Sequence, residues 1–238
     1  MRILLLCGHR LMLRNMVSSG LAGKLPGEVT VVAPLADWKD VPAEIRKGLR
    51  FCPLGNSAGS FRTRLRRYLR LASLVARERT SVTYRHKVAN EGRSRFQIAV
   101  WRAVRRVNDL EAIGRRIETL VPPSRAARAI VEAVRPDLVL WPTLIHQADD
   151  TEVVKAAKAA GVPVLAMQAS FDTLLTKGGF LIPPERLLVW GEASKSAAIE
   201  HHGFSATRVT VVGPPHWDCY SVLEQGTQVP GMLGMDCR

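Results

Sequence analysis

Residues 168–179 form a polar stretch between two apolar runs, and they hold the side chains best suited to chemistry. A carboxylate, an ammonium group and several hydroxyls follow closely on one another, at Gln168, Ser170, Asp172, Thr173, Thr176 and Lys177. Such a set can bind a polyol or a phosphate, and a carboxylate within hydrogen-bond reach can deprotonate a hydroxyl. Asp172 is therefore the candidate catalytic residue, with Ser170, Thr173 and Lys177 as candidate substrate contacts. The alternative is that Asp172 and Lys177 pair with each other and only fix the loop.

Arg10 and Arg14 form a second candidate group, because they lie four residues apart at a predicted helix start. With the free N–H groups of the first helical turn they could bind an anion. The alternative is a solvated first turn. His146 follows another apolar run and could line the same cleft, although a loop histidine is more often simply exposed. We expect no metal site at His201 and His202, because no carboxylate or cysteine lies at ligand spacing.

Short apolar runs bounded by glycine and proline surround these residues, and they are typical of strands buried in a parallel sheet. The predicted strands cover residues 2–7, 28–34, 49–54, 138–141, 162–167, 187–190 and 209–212. Helical patterns separate most of them, which predicts an α/β fold with a Rossmann-like, doubly wound, mainly parallel sheet. Ligands of such sheets bind at the carboxyl ends of the strands. The turn after the first strand has one glycine, Gly8, where the dinucleotide fingerprint has three.

The positive charge is concentrated in the middle of the chain. The net charge is +13, and residues 61–135 contain 19 Lys and Arg against 6 Asp and Glu. A helical pattern begins at Phe61, with Arg62, Arg64, Arg66, Arg67 and Arg70 mostly between the apolar positions. This pattern predicts either a surface helix with one solvated face or, through residues 61–79, a helix resting on anionic lipid headgroups.

Further helices are predicted in this basic segment. A stripe of apolar residues predicts one helix over residues 93–120, and Ser124 is a suitable N-cap for the next. The stripe comprises Phe96, Val100, Val104, Val107 and Leu110. Aromatic residues are few and no RNA- or DNA-binding signature is present, so we expect no nucleic-acid partner.

Several classes of protein are disfavoured by the rest of the sequence. No apolar run approaches the roughly 20 residues that span a bilayer, and the start of the chain is typical of a first strand rather than a signal peptide. The four cysteines are scattered without CxxC spacing. Free thiols in a reducing cytoplasm are the simplest interpretation, and the protein is expected to be cytoplasmic, or peripheral at the inner membrane face.

Three motifs in the last third, SFDTLLTKGG, LLVWGEASKSAAIEHHG and VTVVGPPHWDCY, resemble bacterial GT-B-type glycosyltransferase-like proteins of surface-glycan biosynthesis. Those proteins have an Asp-Asn-Leu-Thr-x-Lys-Gly loop before Val-Trp-x-Glu, and LMLRNMVSSGLAGKL is similar to their first helix. By position, the resemblance implies roles for His9, Arg10, Arg14 and Asn15 in the first turn, and for Asp172 and Lys177. Thr173 departs from the pattern, which has Asn there.

The resemblance implies that residues 1–220 are the acceptor-side half of a GT-B fold, including the basic segment 61–135, and that residues 221–238 lead towards a second domain. The implied reaction moves a sugar from a nucleotide-sugar donor to a glycan or lipid-linked acceptor, with no further cofactor and no metal. We expect little activity from this half alone, and a separately encoded C-terminal half is a candidate partner. The alternatives are a non-catalytic sugar- or phosphate-binding module, or a nucleotide-sugar epimerase-like protein.

Overall fold

The computed structural model describes residues 1–55, 60–80, 82–91, 95–105, 109–145 and 147–217. Seven strands form one sheet: β1 (Arg2–Leu6), β2 (Glu28–Ala33), β3 (Arg50–Pro53), β4 (Leu138–Thr143), β5 (Val164–Gln168), β6 (Arg186–Val189) and β7 (Val209–Val211). Their order is β3-β2-β1-β4-β5-β6-β7, and every neighbouring pair is parallel. This confirms the predicted α/β, Rossmann-like doubly wound fold. The direction of winding reverses between β1 and β4, which makes that gap the topological switch point.

The helices cover both faces of the sheet and fill the connection between β3 and β4. They are α1 (Arg10–Leu13), α2 (Leu35–Lys39), α3 (Ala43–Arg46), α4 (Phe61–Ala76), α5 (Val82–Glu91), α6 (Arg95–Val104), α7 (Leu110–Leu120), α8 (Arg125–Val134), α9 (Ala148–Ala159), α10 (Thr173–Thr176) and α11 (Glu192–His202). A π-helical turn, Arg14–Ser18, continues α1. Ser124 caps α8 by accepting from Ala127 N at 3.2 Å, as predicted, and Gly161 has φ 73° after α9.

Alternate residues of the central strands serve two cores, because side chains of a strand point to opposite faces. Leu4 and Leu6 pack with α8, α9 and α11, whereas Ile3 and Leu5 pack with α1 and the helical turns after it. A third apolar cluster lies within α4–α7, which we call the helical insertion. The insertion therefore has its own core while it rests on the layer that covers β4–β6.

The helical insertion differs from its prediction in two respects. The single helix expected over residues 93–120 is two helices, with Asp109 capping α7 through its carboxylate. Phe96, expected on the apolar stripe, is 76% exposed, and Ile98 and Trp101 are buried instead. The predicted stripe was wrong at Phe96, whereas Leu110 is buried and Val104 packs against the same cluster. Val107 lies outside the described residues.

The arginines of α4 do not form one solvated face. Arg66 is buried and pairs with Glu118 of α7 and Glu152 of α9, while Lys155 of α9 also binds Glu118 at 2.6 Å. Buried charges need such partners because the interior solvates them poorly. The second half of α4 is buried too, from Leu71 to Val75. Across the described residues, no helix has both the length and the apolar character needed to cross a membrane.

Candidate functional site

The carboxyl edge of the sheet collects nearly all the residues singled out by their chemistry. His9, Arg10, Arg14 and Asn15 follow β1, whereas the 168–179 loop follows β5. These strands are parallel and lie on either side of β4, so both groups emerge at the same edge. His146 and residues 218–238 lie outside the described residues. The 168–179 loop is one strand away from the switch point, which is flanked by the exits of β1 and β4.

The exit of β1 presents cationic side chains to solvent. His9 caps α1, its Nδ1 accepting from Leu11 N at 3.1 Å, and Arg10 faces Asp40 at 3.6 Å in an exposed pair. Arg14 is exposed, and its Nε and Nη2 both donate to Oδ1 of the buried Asn15 at 3.2 Å. Asn15 thus holds the arginine in place, and the other N–H groups of the Arg14 guanidinium can bind an anion at the edge.

A buried carboxylate at the switch point was missed by the sequence reasoning. Asp150, in the first turn of α9, is fully buried, and its Oδ2 accepts from Trp141 Nε1 of β4 at 3.1 Å. Its Oδ1 has no hydrogen-bond partner in the part of the chain that the structure describes. A Cβ added to Gly8 would lie 1.5 Å from that Oδ1. Gly8 is therefore required for space, since its φ is not positive.

Burial controls the ionisation of this carboxyl group. Desolvation raises the pKa of Asp150 to about 7; the Trp141 hydrogen bond lowers it less, and Asp149 raises it slightly. The neighbouring Cys7 thiol has its pKa raised by burial and then by the Asp150 charge. Two weakly acidic groups thus lie beneath the β1 exit. In the sequence, Asp150 could have been noticed only from Gly8 after β1 and from the Asp149-Asp150 pair at a helix start. Neither feature alone is specific for a buried carboxyl group.

The Asp172 side chain is held by three groups of its own loop. Ser170 Oγ donates at 2.7 Å, Thr176 Oγ1 donates at 2.8 Å, and Lys177 Nζ lies 3.2 Å away. Partial burial opposes ionisation, but these hydrogen bonds and the Lys177 charge together lower the pKa of Asp172. This geometry corresponds to the loop-fixing alternative, and a carboxylate with a lowered pKa is a weak general base. A catalytic role for Asp172 stays a prediction.

Two other side chains of this stretch organise the backbone. Thr173 is completely buried, and its Oγ1 accepts from Ser170 N at 3.1 Å, so its predicted contact with a substrate is not supported by its placement. Gln168 donates to the carbonyls of Ser170 and Phe171 and accepts from Trp190 N at 3.0 Å. The loop is consequently attached to the end of β6.

The helical insertion also contacts the 168–179 loop and holds its backbone. Ser73 Oγ of α4 accepts from Gly179 N at 2.7 Å and donates to Glu111 of α7 at 3.1 Å. Lys87 Nζ of α5 donates to Thr176 O at 2.6 Å. A Cβ on Gly179 would lie 2.9 Å from the Glu111 carboxylate oxygens. The basic segment thus positions the loop, a role that its composition did not indicate.

His202, the last residue of α11, also contacts this loop. Its Nε2 lies 2.7 Å from Leu174 O, and its ring packs edge-on against Phe180 with centroids 5.5 Å apart. Burial, and then the charge of Arg77, lower the pKa of His202 to about 4. His202 is therefore neutral at neutral pH and acts as a packing residue.

The segment after β7 also lies at the carboxyl edge of the sheet. His216 packs against Trp190 with ring centroids 5.2 Å apart, and partial burial followed by the charge of nearby Arg14 lowers the pKa of His216. Arg14 and His216 therefore share one part of the edge. The described residues contain no group of three or more His, Cys, Asp or Glu side chains arranged to hold a metal ion.

Sequence comparison adds no relative to this geometry: no protein-family model and no curated protein matches the chain.

Proposed function

We propose that this protein is a glycosyltransferase-like domain that binds the sugar acceptor at the carboxyl edge of its sheet. The observation that carries the proposal is the 168–179 loop, which is fixed at that edge by its own side chains and by the helical insertion. The same loop is the centre of the resemblance to GT-B-type proteins. The Ser170 and Thr176 hydroxyls donate to Asp172, and each oxygen can still accept a hydrogen bond from a sugar hydroxyl.

The cationic side of the edge fits an acceptor or a donor that bears phosphate. Arg14 lies there near His216, and the exposed Arg10 precedes Arg14 by four residues. Guanidinium groups stabilise phosphate oxygens by charge-assisted hydrogen bonds. In the proposed reaction the sugar comes from a nucleotide-sugar, and basic side chains stabilise the charge of the leaving phosphate.

The test is isothermal calorimetry of the whole chain with glucose 1-phosphate, N-acetylglucosamine 1-phosphate and UDP-, GDP- and dTDP-glucose. We expect at least one sugar phosphate to bind, with binding weakened about tenfold or more by Arg14→Ala, as for loss of a charge-assisted hydrogen bond. Arg186→Ala is the control, since Arg186 is an exposed arginine at the start of β6, on the opposite edge. No binding by any compound, or equal weakening by both variants, would contradict the proposal.

A non-catalytic sugar- or phosphate-binding module is the second candidate, and the pairing of Asp172 favours it. A carboxylate that is already satisfied by Ser170, Thr176 and Lys177 has little tendency to accept a proton from an acceptor. Incubation of the chain with each nucleotide-sugar and a phosphorylated acceptor tests the second candidate. Turnover that falls with Asp172→Asn indicates an enzyme and excludes the module, whereas binding without turnover fits both a module and an acceptor-side half that acts only with a second domain.

A further inference from the structure

The outer surface of α4 and α7 is almost free of negative charge. The two helices contain seven arginines and two carboxylates, Glu111 and Glu118. Glu118 is fully buried between Arg66 and Lys155. Glu111 is mostly buried and pairs with Arg77. Nearly all the charge that the two helices expose to solvent is therefore positive, which gives this side of the molecule a strong attraction for anions.

Two large apolar side chains project from this positive surface. Phe61 is 73% exposed at the start of α4, and Leu120 is 83% exposed at the end of α7. The helices are antiparallel, since Arg66 contacts Glu118, Ser73 contacts Glu111 and Arg62 contacts Pro122 O. This register places Leu120 level with Arg64, one helical turn from Phe61.

Exposed arginines surround this pair. Arg64 follows Phe61 by three residues, and Arg116 precedes Leu120 by four, so each shares a helix face with its apolar neighbour. Arg125, at the start of α8, is held nearby because Glu152 binds both Ser124 N and Arg62. We call this group, Phe61, Leu120, Arg64, Arg116 and Arg125, the apolar tip.

The apolar tip lies at the carboxyl edge of the sheet. Arg66 Nη1 donates to Ala148 O at 2.8 Å, and Ala148 is the first residue of α9, directly after the exit of β4. The N-terminal half of α4 therefore lies beside the switch point. An object bound to the apolar tip would lie on the same side of the molecule as the Asp172 loop and Arg14.

We infer that the apolar tip docks on an anionic lipid surface, with Phe61 and Leu120 inserted at the headgroup boundary and the arginines bound to lipid phosphates. Exposed apolar side chains in a ring of cations suit such an interface, because burial in lipid and attraction to anionic headgroups act together. A nucleic acid would use the same cations but gains little from Leu120, which cannot stack on a base. The surface is smaller than the face over residues 61–79 predicted from the sequence, since the second half of α4 is buried.

The experiment is sedimentation of the whole chain with vesicles of phosphatidylglycerol and phosphatidylcholine, and with vesicles of phosphatidylcholine alone. We expect binding to the anionic vesicles only. The double variant Phe61→Ser/Leu120→Ser is expected to weaken the apparent affinity at least tenfold, and Arg64→Gln/Arg116→Gln to weaken it comparably. Phe96→Ser is the control, because Phe96 is 76% exposed on α6 and lies outside the apolar tip.

Circular dichroism of each variant separates loss of docking from loss of folding. Equal binding by wild type and the Phe61→Ser/Leu120→Ser variant overturns the inference, as does equal binding to both kinds of vesicle. Absence of vesicle binding together with tight retention of duplex DNA overturns it in favour of a nucleic-acid partner. The measurement does not involve a sugar, so failure of the proposed acceptor site would leave this result unchanged.

Discussion

Asp150 and Asp172 lie after adjacent strands at the same edge of the sheet, yet their surroundings are opposite in kind. Asp150 is fully buried with one donor, Trp141, and its pKa is raised to about 7. Asp172 is a quarter exposed with donors from Ser170, Thr176 and Lys177, and its pKa is lowered. Near neutral pH the first is half protonated and the second is a stable anion.

The contrast shows that the number of donors, and not the position at the edge, decides what each carboxyl group can do. Desolvation disfavours the ionised form of both, and only at Asp172 do hydrogen bonds and a cation outweigh it. Asp172 depends on residues of its own loop, whereas Asp150 depends on packing between β1, β4 and α9. Substitutions at the two sites should therefore fail in different ways.

The largest expected effect is the pH dependence of stability that Asp150 imposes. Because its folded pKa exceeds its ordinary value of 3.8, the folded state binds the proton more tightly, and stability is lost as pH rises from about 4 to about 7. Relative to Asp150→Asn, the free energy of unfolding of the wild type should fall by about 3 kcal/mol between about pH 5 and pH 8. Urea denaturation across this range measures the difference.

Asp172→Asn is the matched comparison for this experiment. A lowered pKa gives stability that is present above about pH 4 and is lost as pH falls through the folded value. The difference in the free energy of unfolding between Asp172→Asn and the wild type should therefore be constant between pH 5 and pH 8 and change only at acidic pH. If the difference in the free energy of unfolding between Asp150→Asn and the wild type is also constant over this range, the Asp150 carboxyl group is not desolvated in solution.

The next effect is steric and tests the close approach of Gly8 to Asp150. The Gly8→Ala methyl group would lie 1.5 Å from Oδ1, and such overpacking typically destabilises by about 1–3 kcal/mol. Adding Asp150→Ala should recover part of the loss, measured as a coupling energy in a double-mutant cycle. Gly23→Ala is the control, because no atom lies within 4 Å of its added Cβ. If the losses in the free energy of unfolding caused by Gly8→Ala and Asp150→Ala simply add in the double variant, Gly8 and Asp150 are not in contact.

The smallest effect should come from Asp172→Ala at neutral pH. The pair with Lys177 is partly exposed, so we expect about 1 kcal/mol or less of global stability. The loss should appear locally instead, as faster amide exchange over residues 170–177 with little change in β5. Uniformly faster exchange across the sheet would show that the loop is not an independent unit.

The sheet could be predicted from the sequence because every strand is a short apolar run between glycine, proline or polar residues. Each predicted strand lies within two residues of the observed one at both ends. The helical insertion was predicted less well, because its interior combines apolar side chains with paired charges such as Arg66 and Glu118, and a periodic pattern treats these as solvent-exposed.

The residues of the 168–179 loop could be identified from their types, but the environments and contacts of the site residues could not be predicted. Asp172 and Lys177 were identified together because they occur in one loop. Asp150 was missed because its environment is formed by Gly8 and Trp141, which are distant in sequence from one another. The support of Gly179 by Ser73 and Glu111 was missed for the same reason.

The pairing of β1 with β4 has a consequence for synthesis of the protein on the ribosome. Leu5 pairs with Leu140, and β2, β3 and the whole helical insertion are made between them. At about ten residues per second, the apolar edge of β1 waits on the order of ten seconds for its partner. An unpaired apolar edge is the feature of a sheet most prone to aggregate. The nascent chain therefore carries an aggregation-prone edge while the insertion is being translated, well before the residues of the Asp172 loop are made.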